Sequence, residues 1–367
     1  MTIPLIKPYI TESIKKRVCD VLESGYLTEG PVTKEFEDCF RKYVGCSHAI
    51  AVTSCTTGLE VALRCLGVGP GDEVIVPDYT YPATAAVVPL VGATAVIVDV
   101  KRDTMLIDYD ALEKAMTSRT RAIIPVSLFG NPLDYDRIQK IKEKYGIFII
   151  EDAACSIGAE YKNIKVGNFA DITVFSLHPR KFITTGEGGI ITTNNGRWAE
   201  WMNSYKHFGM KMGSSLREGI QFEIMGTNYK LSNVLSAIGV GQMEYIDTLL
   251  ERRRCLAECY LDMLRSIPGI GIPDVVDGGR HSYQSFCIFV SGRESLMKMI
   301  REAGIEVQIG TYSLHMHTAF QGNPQCLLTE TMNESRYCYE HCLTLPLYHD
   351  LTAADQEKVI ETLRRYL

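Results

Sequence analysis

The stretch IFIIEDAACSIGA, residues 147–159, decides the fold. It opens with four large apolar residues and lacks the alternation of a half-exposed strand, so it predicts a strand buried on both faces. Two carboxylates, Glu151 and Asp152, end this strand. Because a buried carboxylate is costly without a partner, Asp152 needs a cation or a hydrogen-bond donor beside it. A helix cap or a structural ion pair is the alternative to a functional role.

Apolar runs of the same kind recur on both sides of this stretch. Helical segments, such as residues 56–67 and 134–146, lie between them and end near glycines. This alternation predicts a mainly parallel sheet covered by helices, an α/β fold. The other predicted strands are AIAVT (49–53), EVIVP (73–77), TAVIVDV (94–100), RAIIPV (121–126), ADITVFS (170–176) and GGIITTN (188–194).

The C-terminal third predicts a second, smaller unit. A helical pattern runs from Leu231 to Arg265 and ends before Pro268. We place the boundary within it, which gives a large domain over residues 1–245 and a small α+β domain over residues 246–367. The polar stretch HFGMKMGSSLREG, residues 207–219, is predicted to be a mobile loop.

Composition narrows the class of protein. The 367 residues carry a net charge of -6 without a dense basic run, which argues against nucleic acid as a partner. No apolar stretch has the length of a membrane span, and the N-terminus lacks the features of a signal peptide, so a cytoplasmic protein without a membrane partner is expected. The twelve cysteines are expected to be reduced thiols.

Three more polar segments follow predicted strands, at the sheet edge where open α/β sheets bind ligands. In TSCTTGLEVAL (53–63), backbone N–H groups at a helix start, with the hydroxyls of Thr56 and Thr57, could hold a phosphate. Ordinary capping by threonine is the alternative. In PDYTYPAT (77–84), Tyr79 and Tyr81 could present a ring to a flat cofactor or could fill the core.

The third segment, VFSLHPRKFITTGEGG (174–189), contains Ser176, His178 and Lys181 between two strands. A lysine in such a pocket can form a Schiff base with an aldehyde. Most lysines are solvated surface residues, so a single lysine is not decisive.

Taken together and in this order, the four segments resemble the DegT/DnrJ/EryC1/StrS family of sugar aminotransferases over nearly the whole chain. The resemblance includes SGYLTEGPVTKEFE, GPGDEVIVP, EDAACSIGAEYK, HPRKFITTGEGG and LPLYHDLT. It implies the aspartate aminotransferase-like fold, that is, fold type I of the enzymes that use pyridoxal 5'-phosphate (PLP), and it implies PLP as cofactor.

The resemblance also assigns roles around the cofactor ring. Lys181 matches the lysine of the internal aldimine, and Asp152 matches the acid that pairs with the pyridine nitrogen. Tyr81 falls where the family carries the ring that stacks on PLP. Cys155 stands near the cofactor's phenolic oxygen, where many relatives have Gln or His, and a thiol is a weaker hydrogen-bond partner.

At the phosphate end, Thr56, Thr57 and Ser176 match contacts of the family. Asn228 matches an asparagine that reaches the phosphate of the neighbouring subunit, which implies a homodimer with shared active sites. Lys230 stands where Arg is more usual, so bidentate recognition would be weaker there.

Candidate substrate contacts are more scattered, and no metal is expected because the His and Cys spacing is wrong for one. The candidate substrate contacts are indicated partly by the resemblance and partly by their positions in predicted loops. They are Tyr26, Lys230, His281, Tyr312 and His315.

The implied activity is transfer of an amino group from an amino acid, L-glutamate in the family, to a nucleotide-linked keto sugar. The product would be an amino sugar for a polysaccharide or O-antigen. Two alternatives stay open at this point: a PLP-dependent sugar dehydratase, whose relatives replace the lysine by histidine, and a regulatory sensor without catalysis.

Overall fold

A computed structural model of the chain describes residues 2–211, 219–329 and 331–367. Residues 212–218 of the predicted mobile loop lie outside the described residues. The helices of the described residues are α1 Glu12–Ser24, α2 Pro31–Val44, α3 Cys55–Cys65, α4 Ala83–Leu90, α5 Tyr109–Lys114, α6 Tyr135–Tyr145, α7 Gly196–Tyr205, α8 Asn233–Met243, α9 Ile246–Leu264, α10 Arg293–Glu302, α11 Asn333–His341 and α12 Ala353–Tyr366.

Two groups of strands complete the architecture. The large sheet contains β1 His48–Val52, β2 Glu73–Pro77, β4 Thr94–Val98, β5 Thr120–Ile123, β6 Phe148–Asp152, β9 Ile172–Ser176, β10 Gly189–Thr193 and β15 Cys326–Leu328. The other strands are β3 Tyr79–Thr80, β7 Glu160–Tyr161, β8 Ile164–Lys165, β11 Gly279–Arg280, β12 Phe286–Phe289, β13 Gln308–Ile309, β14 Tyr312–Ser313 and β16 Cys342–Leu345.

The large sheet has the strand order β1-β10-β9-β6-β5-β2-β4-β15. Among the described strands of this sheet, only β10 runs antiparallel to its neighbours, because the chain returns to it directly from β9 without a crossover helix. The remaining strands are mutually parallel, which confirms the predicted α/β fold. Their carboxyl ends therefore share one edge of the sheet.

Helices cover both faces of this sheet, as the unalternating strand sequences require. On one face, Phe40 of α2 packs edge-to-face against Phe175 of β9, with ring centroids 5.1 Å apart. On the other, Leu59 of α3 packs with Val174, the residue before Phe175. Val174 and Phe175 are both fully buried, and they belong to the hydrophobic cores on opposite faces of the sheet.

The prediction of a single helix from Leu231 to Arg265 is wrong. It is two helices, α8 and α9, and the backbone leaves the helical region at Tyr245 (φ -112°, ψ 5°). Two α8 glycines explain its separate direction: a Cβ at Gly239 would lie 2.6 Å from the Phe36 ring, and one at Gly241 would lie 2.6 Å from Ile14. The position of α8 is therefore set by close packing on α1 and α2.

Strands of the C-terminal part lie in all four sheets of the described residues. The antiparallel sheet β12-β16-β13 packs with α9, α10 and α12 around a core that includes Tyr260 and Phe286. In contrast, β15 joins the large sheet beside β4, and β14 pairs with β3. The division of the chain after residue 245 stays a prediction. Among the described residues, no helix is both long enough and apolar enough to cross a bilayer.

Candidate active site

A cavity of about 580 Å³ opens at the carboxyl edge of the large sheet. The strand register explains why separate segments meet there: Gly189 of β10 lies opposite Val52 on one side and Ser176 on the other, and Asp152 lies opposite Val174. Of the residues predicted from the sequence, the cavity is lined by Thr56, Tyr81, Asp152, Cys155, Ser176, Lys181 and Tyr312.

Lys181 lies in the loop 177–188 between β9 and β10, and its Nζ atom is 3.1 Å from the Sγ atom of Cys155. Burial opposes the positive charge of this lysine. The contact with Cys155 and the nearby carboxylate of Asp152 outweigh burial, so the pKa of Lys181 is raised. The lysine is thus a partly buried amine beside a sulfur atom, not a solvated surface residue.

Asp152 is almost fully buried at the end of β6. Its Oδ2 atom accepts a hydrogen bond from Thr84 Oγ1 at 2.8 Å, and its Oδ1 atom accepts one from the Ala154 N–H at 3.1 Å. Burial raises the pKa of Asp152, and these bonds only partly offset it. The Cys55 thiol lies 3.8 Å from Oδ1, and burial holds the pKa of that thiol well above its usual value. A protonated ring nitrogen would supply the positive charge that this carboxylate favours.

The start of α3 provides donors for an anion. Ser54 caps the helix in a capping box with Thr57, whose hydroxyl donates to the Ser54 carbonyl at 2.9 Å. No described residue accepts a hydrogen bond from the N–H groups of Cys55 and Thr56, which are the unpaired donors of the first turn. These donors, the Thr56 hydroxyl and the helix dipole together suit a phosphate.

Gly189 allows the strands to close around this turn. A Cβ at Gly189 would lie 2.6 Å from the Ser54 carbonyl carbon and 2.7 Å from the Cys55 nitrogen. The neighbouring Ser176 hydroxyl also lines the cavity. Thr57 was predicted as a phosphate contact, but the structure places its hydroxyl within the cap and outside the cavity wall.

Tyr81 stands at the cavity mouth with 65% of its surface exposed. Its ring centroid lies 6.2 Å from that of Tyr312, which β14 brings next to β3. Tyr79 points the other way and fills the core, with 1% exposure. The aromatic pair of the sequence therefore divides into one core residue and one residue available to a planar ligand.

Asn228, Lys230 and Tyr26 do not line this cavity. Lys230 Nζ donates to Asn228 Oδ1 at 2.5 Å, and burial lowers the pKa of Lys230. Tyr26 is 53% exposed. These residues lie on a partly exposed surface of the chain.

The two histidines also lie elsewhere. His281 borders a separate cavity of about 100 Å³, and burial lowers its pKa to about 3. His315 is buried, and its Nδ1 atom is 2.6 Å from Asp78 Oδ2. Among the described residues, no group of three or more His, Cys, Asp or Glu side chains is arranged to hold a metal ion.

Two contacts of the site were not predicted. Thr84, the last residue of PDYTYPAT, binds Asp152, and Gln284 binds the backbone on both sides of Lys181. Thr84 lies in the segment that also contains Tyr79 and Tyr81, so its hydroxyl could have been identified from the sequence as a possible donor to Asp152. Gln284 is 104 residues from Arg180 in the chain, and no local pattern connects the two.

A lysine, a buried acid and an anion-binding helix start around one cavity, on a sheet with a single antiparallel strand, define the class of PLP-dependent enzymes of fold type I. The residues fit PLP because each charged or polar part of that molecule has a counterpart: Lys181 for the aldehyde, Asp152 for the ring nitrogen and the start of α3 for the phosphate. The chain belongs to the DegT/DnrJ/EryC1/StrS aminotransferase family, whose sequence profile matches residues 8–364.

Known proteins support this assignment over the whole length. The spore coat polysaccharide biosynthesis protein SpsC of Bacillus subtilis is 34% identical over 99% of this chain and 96% of its own. The PLP form of Spr1654 from Streptococcus pneumoniae has 30% identity and a TM-score of 0.92, covering 100% of this chain and 98% of that one. DesV of S. venezuelae, solved with a ketimine intermediate, has 30% identity, the same coverage and a TM-score of 0.91. The protein is a PLP-dependent sugar aminotransferase.

Proposed function

We propose that the protein transfers an amino group from L-glutamate to a nucleotide-linked keto sugar, with Lys181 as the residue that bonds the cofactor. The observation that carries this proposal is the placement of the Lys181 amine and the Asp152 carboxylate on the wall of one cavity that also contains unpaired N–H donors. When bound, PLP supplies an aldehyde that condenses with amines and a ring that withdraws electrons from the attached carbon.

Lys181 has two tasks in this proposal. Its Nζ atom would hold the cofactor at rest, and as a free amine the same atom would carry the proton that transamination moves. Such a shuttle has to be a free amine within reach of the atoms that exchange the proton. The loop 177–188 fixes its base, and Cys155 is its neighbour in the resting protein.

Asp152 would keep the ring nitrogen of the bound cofactor protonated. Its Oδ2 atom is fixed by Thr84, which is itself 2.9 Å from the hydroxyl of Thr80. Thr84 fixes Oδ2, and burial keeps water away from the carboxylate. A positively charged ring nitrogen would therefore lower the free-energy cost of burying this negative charge. Tyr81 would lie against the ring, and Thr56 and Ser176 would bind the phosphate. Thr57 would support the phosphate turn from within the cap.

The acceptor is a sugar that carries a nucleotide. The cavity volume of about 580 Å³ suits the cofactor and a sugar ring, so a nucleotide would extend past Tyr81 and Tyr312 towards the surface. SpsC is named for polysaccharide biosynthesis, which supports an amino sugar as product. A polysaccharide or O-antigen is the destination we propose for it.

We further propose a homodimer with shared active sites. Apolar side chains around Asn228 are unusually exposed for a monomer, and such patches mark interfaces. In that dimer, Asn228 and Lys230 would reach the partner's site. The exposed apolar residues are Tyr26, Leu27, Phe208, Phe222 and Met225.

The proposed compartment is the cytoplasm. All twelve cysteines lie within the described residues and carry free thiols. Reducing compartments maintain that state.

The first test of this function is spectroscopic. We expect the protein with bound PLP to lose its long-wavelength absorbance on addition of L-glutamate, and to regain it only when a suitable nucleotide-linked keto sugar is added. Borohydride reduction followed by peptide mass spectrometry should place the pyridoxyl group on Lys181. A label on any other lysine would refute the assignment, and a panel of keto sugars would define the acceptor.

A further inference from the structure

We propose that Gln284 is a positioning residue for Lys181, because its side-chain amide binds the peptide groups on both sides of that lysine. The inference depends on the proposed role of Lys181 as the residue that bonds the cofactor. Gln284 comes from the segment that leads into β12, far from the loop 177–188 in sequence.

The geometry is that of a two-point clamp. Gln284 Nε2 donates to the Arg180 carbonyl at 2.8 Å, and the Phe182 N–H donates to Gln284 Oε1 at 2.9 Å. A primary amide offers a donor and an acceptor side by side, whereas a carboxylate only accepts. Because the two bonds flank Lys181, they fix the direction in which its Cα–Cβ bond leaves the backbone.

The clamp is itself anchored. The buried Arg253 donates from one nitrogen, Nη1, to the carbonyls of Tyr283 at 3.0 Å, Gln284 at 3.2 Å and Leu347 at 3.1 Å. Burial lowers the pKa of Arg253 to about 10, so the guanidinium stays charged at neutral pH.

Gly130 completes the anchor. It has φ 104°, and a Cβ at this position would lie 3.0 Å from the backbone nitrogen of Gln284. The Ser282 N–H donates to the Gly130 carbonyl at 3.0 Å. Gln284 therefore has a fixed backbone as well as a fixed side chain, and only 6% of its surface is exposed.

Losing the clamp would affect Lys181 in particular. The Arg180 carbonyl and the Phe182 N–H would each be left without this buried partner, and regaining partners requires the loop to shift. A displacement of about 1 Å at a reacting atom can cost about 100-fold in rate. PLP must come within bonding distance of the amine, whereas pyridoxamine phosphate (PMP) makes no bond to it. A misplaced lysine should therefore slow PLP bonding and leave PMP affinity unchanged, whereas a damaged cavity should weaken both.

A matched control exists on the same loop. Gln242 is fully buried, its Oε1 atom accepts from the Thr184 N–H at 2.6 Å, and its Nε2 atom donates to the Tyr9 carbonyl at 2.8 Å. It is the same side chain and also makes two backbone bonds, but its contact with the loop lies three residues after Lys181. Gln242→Leu therefore reports the cost of loosening the loop without releasing the lysine.

The experiment compares Gln284→Leu, Gln242→Leu and the wild-type protein in three measurements: the rate at which the apoprotein bonds PLP, the affinity for PMP, and the melting temperature. For Gln284→Leu, we expect the bonding rate to fall by about 10-fold to 100-fold, while PMP affinity changes by less than about 3-fold. For Gln242→Leu, we expect a comparable loss of melting temperature with a bonding rate near that of the wild type.

Equal losses of PLP bonding and PMP affinity in Gln284→Leu, or equal effects of the two variants on the bonding rate, would overturn the inference. If Gln284→Leu does not fold, Gln284→Glu takes its place, because it keeps the acceptor for the Phe182 N–H and replaces the donor to the Arg180 carbonyl by an acceptor. Borohydride labelling keeps the two proposals apart. A label away from Lys181 in the wild type refutes the proposed function, whereas a label on Lys181 with an unchanged bonding rate in the variant refutes only the clamp.

Discussion

The amine of Lys181 and the thiol of Cys155 are in direct contact, with Nζ 3.1 Å from Sγ. This pairing brings together the residue proposed to bond the cofactor and the residue at which the sequence departs from many relatives. The contact raises the pKa of Lys181 against the opposing effect of burial. Cys155 thus has a defined partner in the protein without cofactor.

Cys155→Ala should lower the pKa of Lys181. More of the amine is then uncharged at neutral pH, so the apoprotein should bond PLP faster below the wild-type pKa, with the pH profile of the bonding rate shifted to lower pH. Stopped-flow absorbance at a series of pH values measures the shift. Cys65→Ala, in α3 and away from the lysine, serves as control. A profile shifted upward would contradict the expected sign.

Asp152→Ala should impair the reaction with L-glutamate more than Tyr81→Leu does. Removing one partner of a buried ion pair costs about 3 to 5 kcal/mol, whereas a stacked ring contributes about 1 kcal/mol. Single-turnover rates of the two variants, each saturated with cofactor, test the order. The reverse ranking would speak against the assignment of Asp152 to the ring nitrogen.

Gly189→Ala should weaken the phosphate site. The added methyl group would meet the backbone of Ser54 and Cys55, which cannot move without disturbing the start of α3. Overpacking of this kind costs about 1 to 3 kcal/mol. We expect lower PMP affinity and a lower melting temperature. Gly196→Ala, whose Cβ would meet only His48 at 3.5 Å, should change neither, and equal behaviour of the two variants would exclude this role for Gly189.

Glu151→Gln should change how stability depends on pH. Burial raises the pKa of Glu151 to about 7, despite hydrogen bonds from Tyr135 at 2.6 Å and Ser127 at 2.8 Å. The folded protein therefore keeps this proton to higher pH than the unfolded chain does. The contribution is complete below pH 4.5, the ordinary value, and is lost as the pH rises through 7, by about 3 kcal/mol.

Urea unfolding at several pH values measures this effect as the difference between the wild type and Glu151→Gln. The variant should lack the decline between about pH 4.5 and 7 that this group contributes. Tyr135→Phe removes a bond that favours the charged carboxylate, so its decline should extend to higher pH. Parallel curves for the wild type and Glu151→Gln would show that Glu151 does not titrate in this window.

Much of the large sheet could be predicted because its strands are buried on both faces and are therefore apolar throughout. The prediction for β2 agrees with the structure at both ends, residues 73 and 77. In contrast, β15 was missed because three residues, Cys326–Leu328, give no periodicity. The break at Tyr245 was missed because apolar residues continue on both sides of it, and only the close packing of α8 on α1 and α2 reveals why the direction changes.

The candidate site divides in the same way. Asp152, at a strand end, and Lys181, in the loop after one, could be predicted because parallel topology brings strand ends together. Gln284 could not, since its function depends on one side chain reaching a loop about a hundred residues away. The sequence also could not show that the Thr57 hydroxyl takes part in the helix cap, since a threonine in this turn fits either role.

The late position of β15 has a consequence for biosynthesis. This strand forms the edge of the large sheet beside β4, although 230 to 232 residues separate the hydrogen-bonded partners there. A chain emerging from the ribosome exposes β4 as an open edge until nearly all of the polypeptide has been made. Nascent chains stalled shortly before residue 326 should therefore be the ones that chaperones hold and that aggregate most readily.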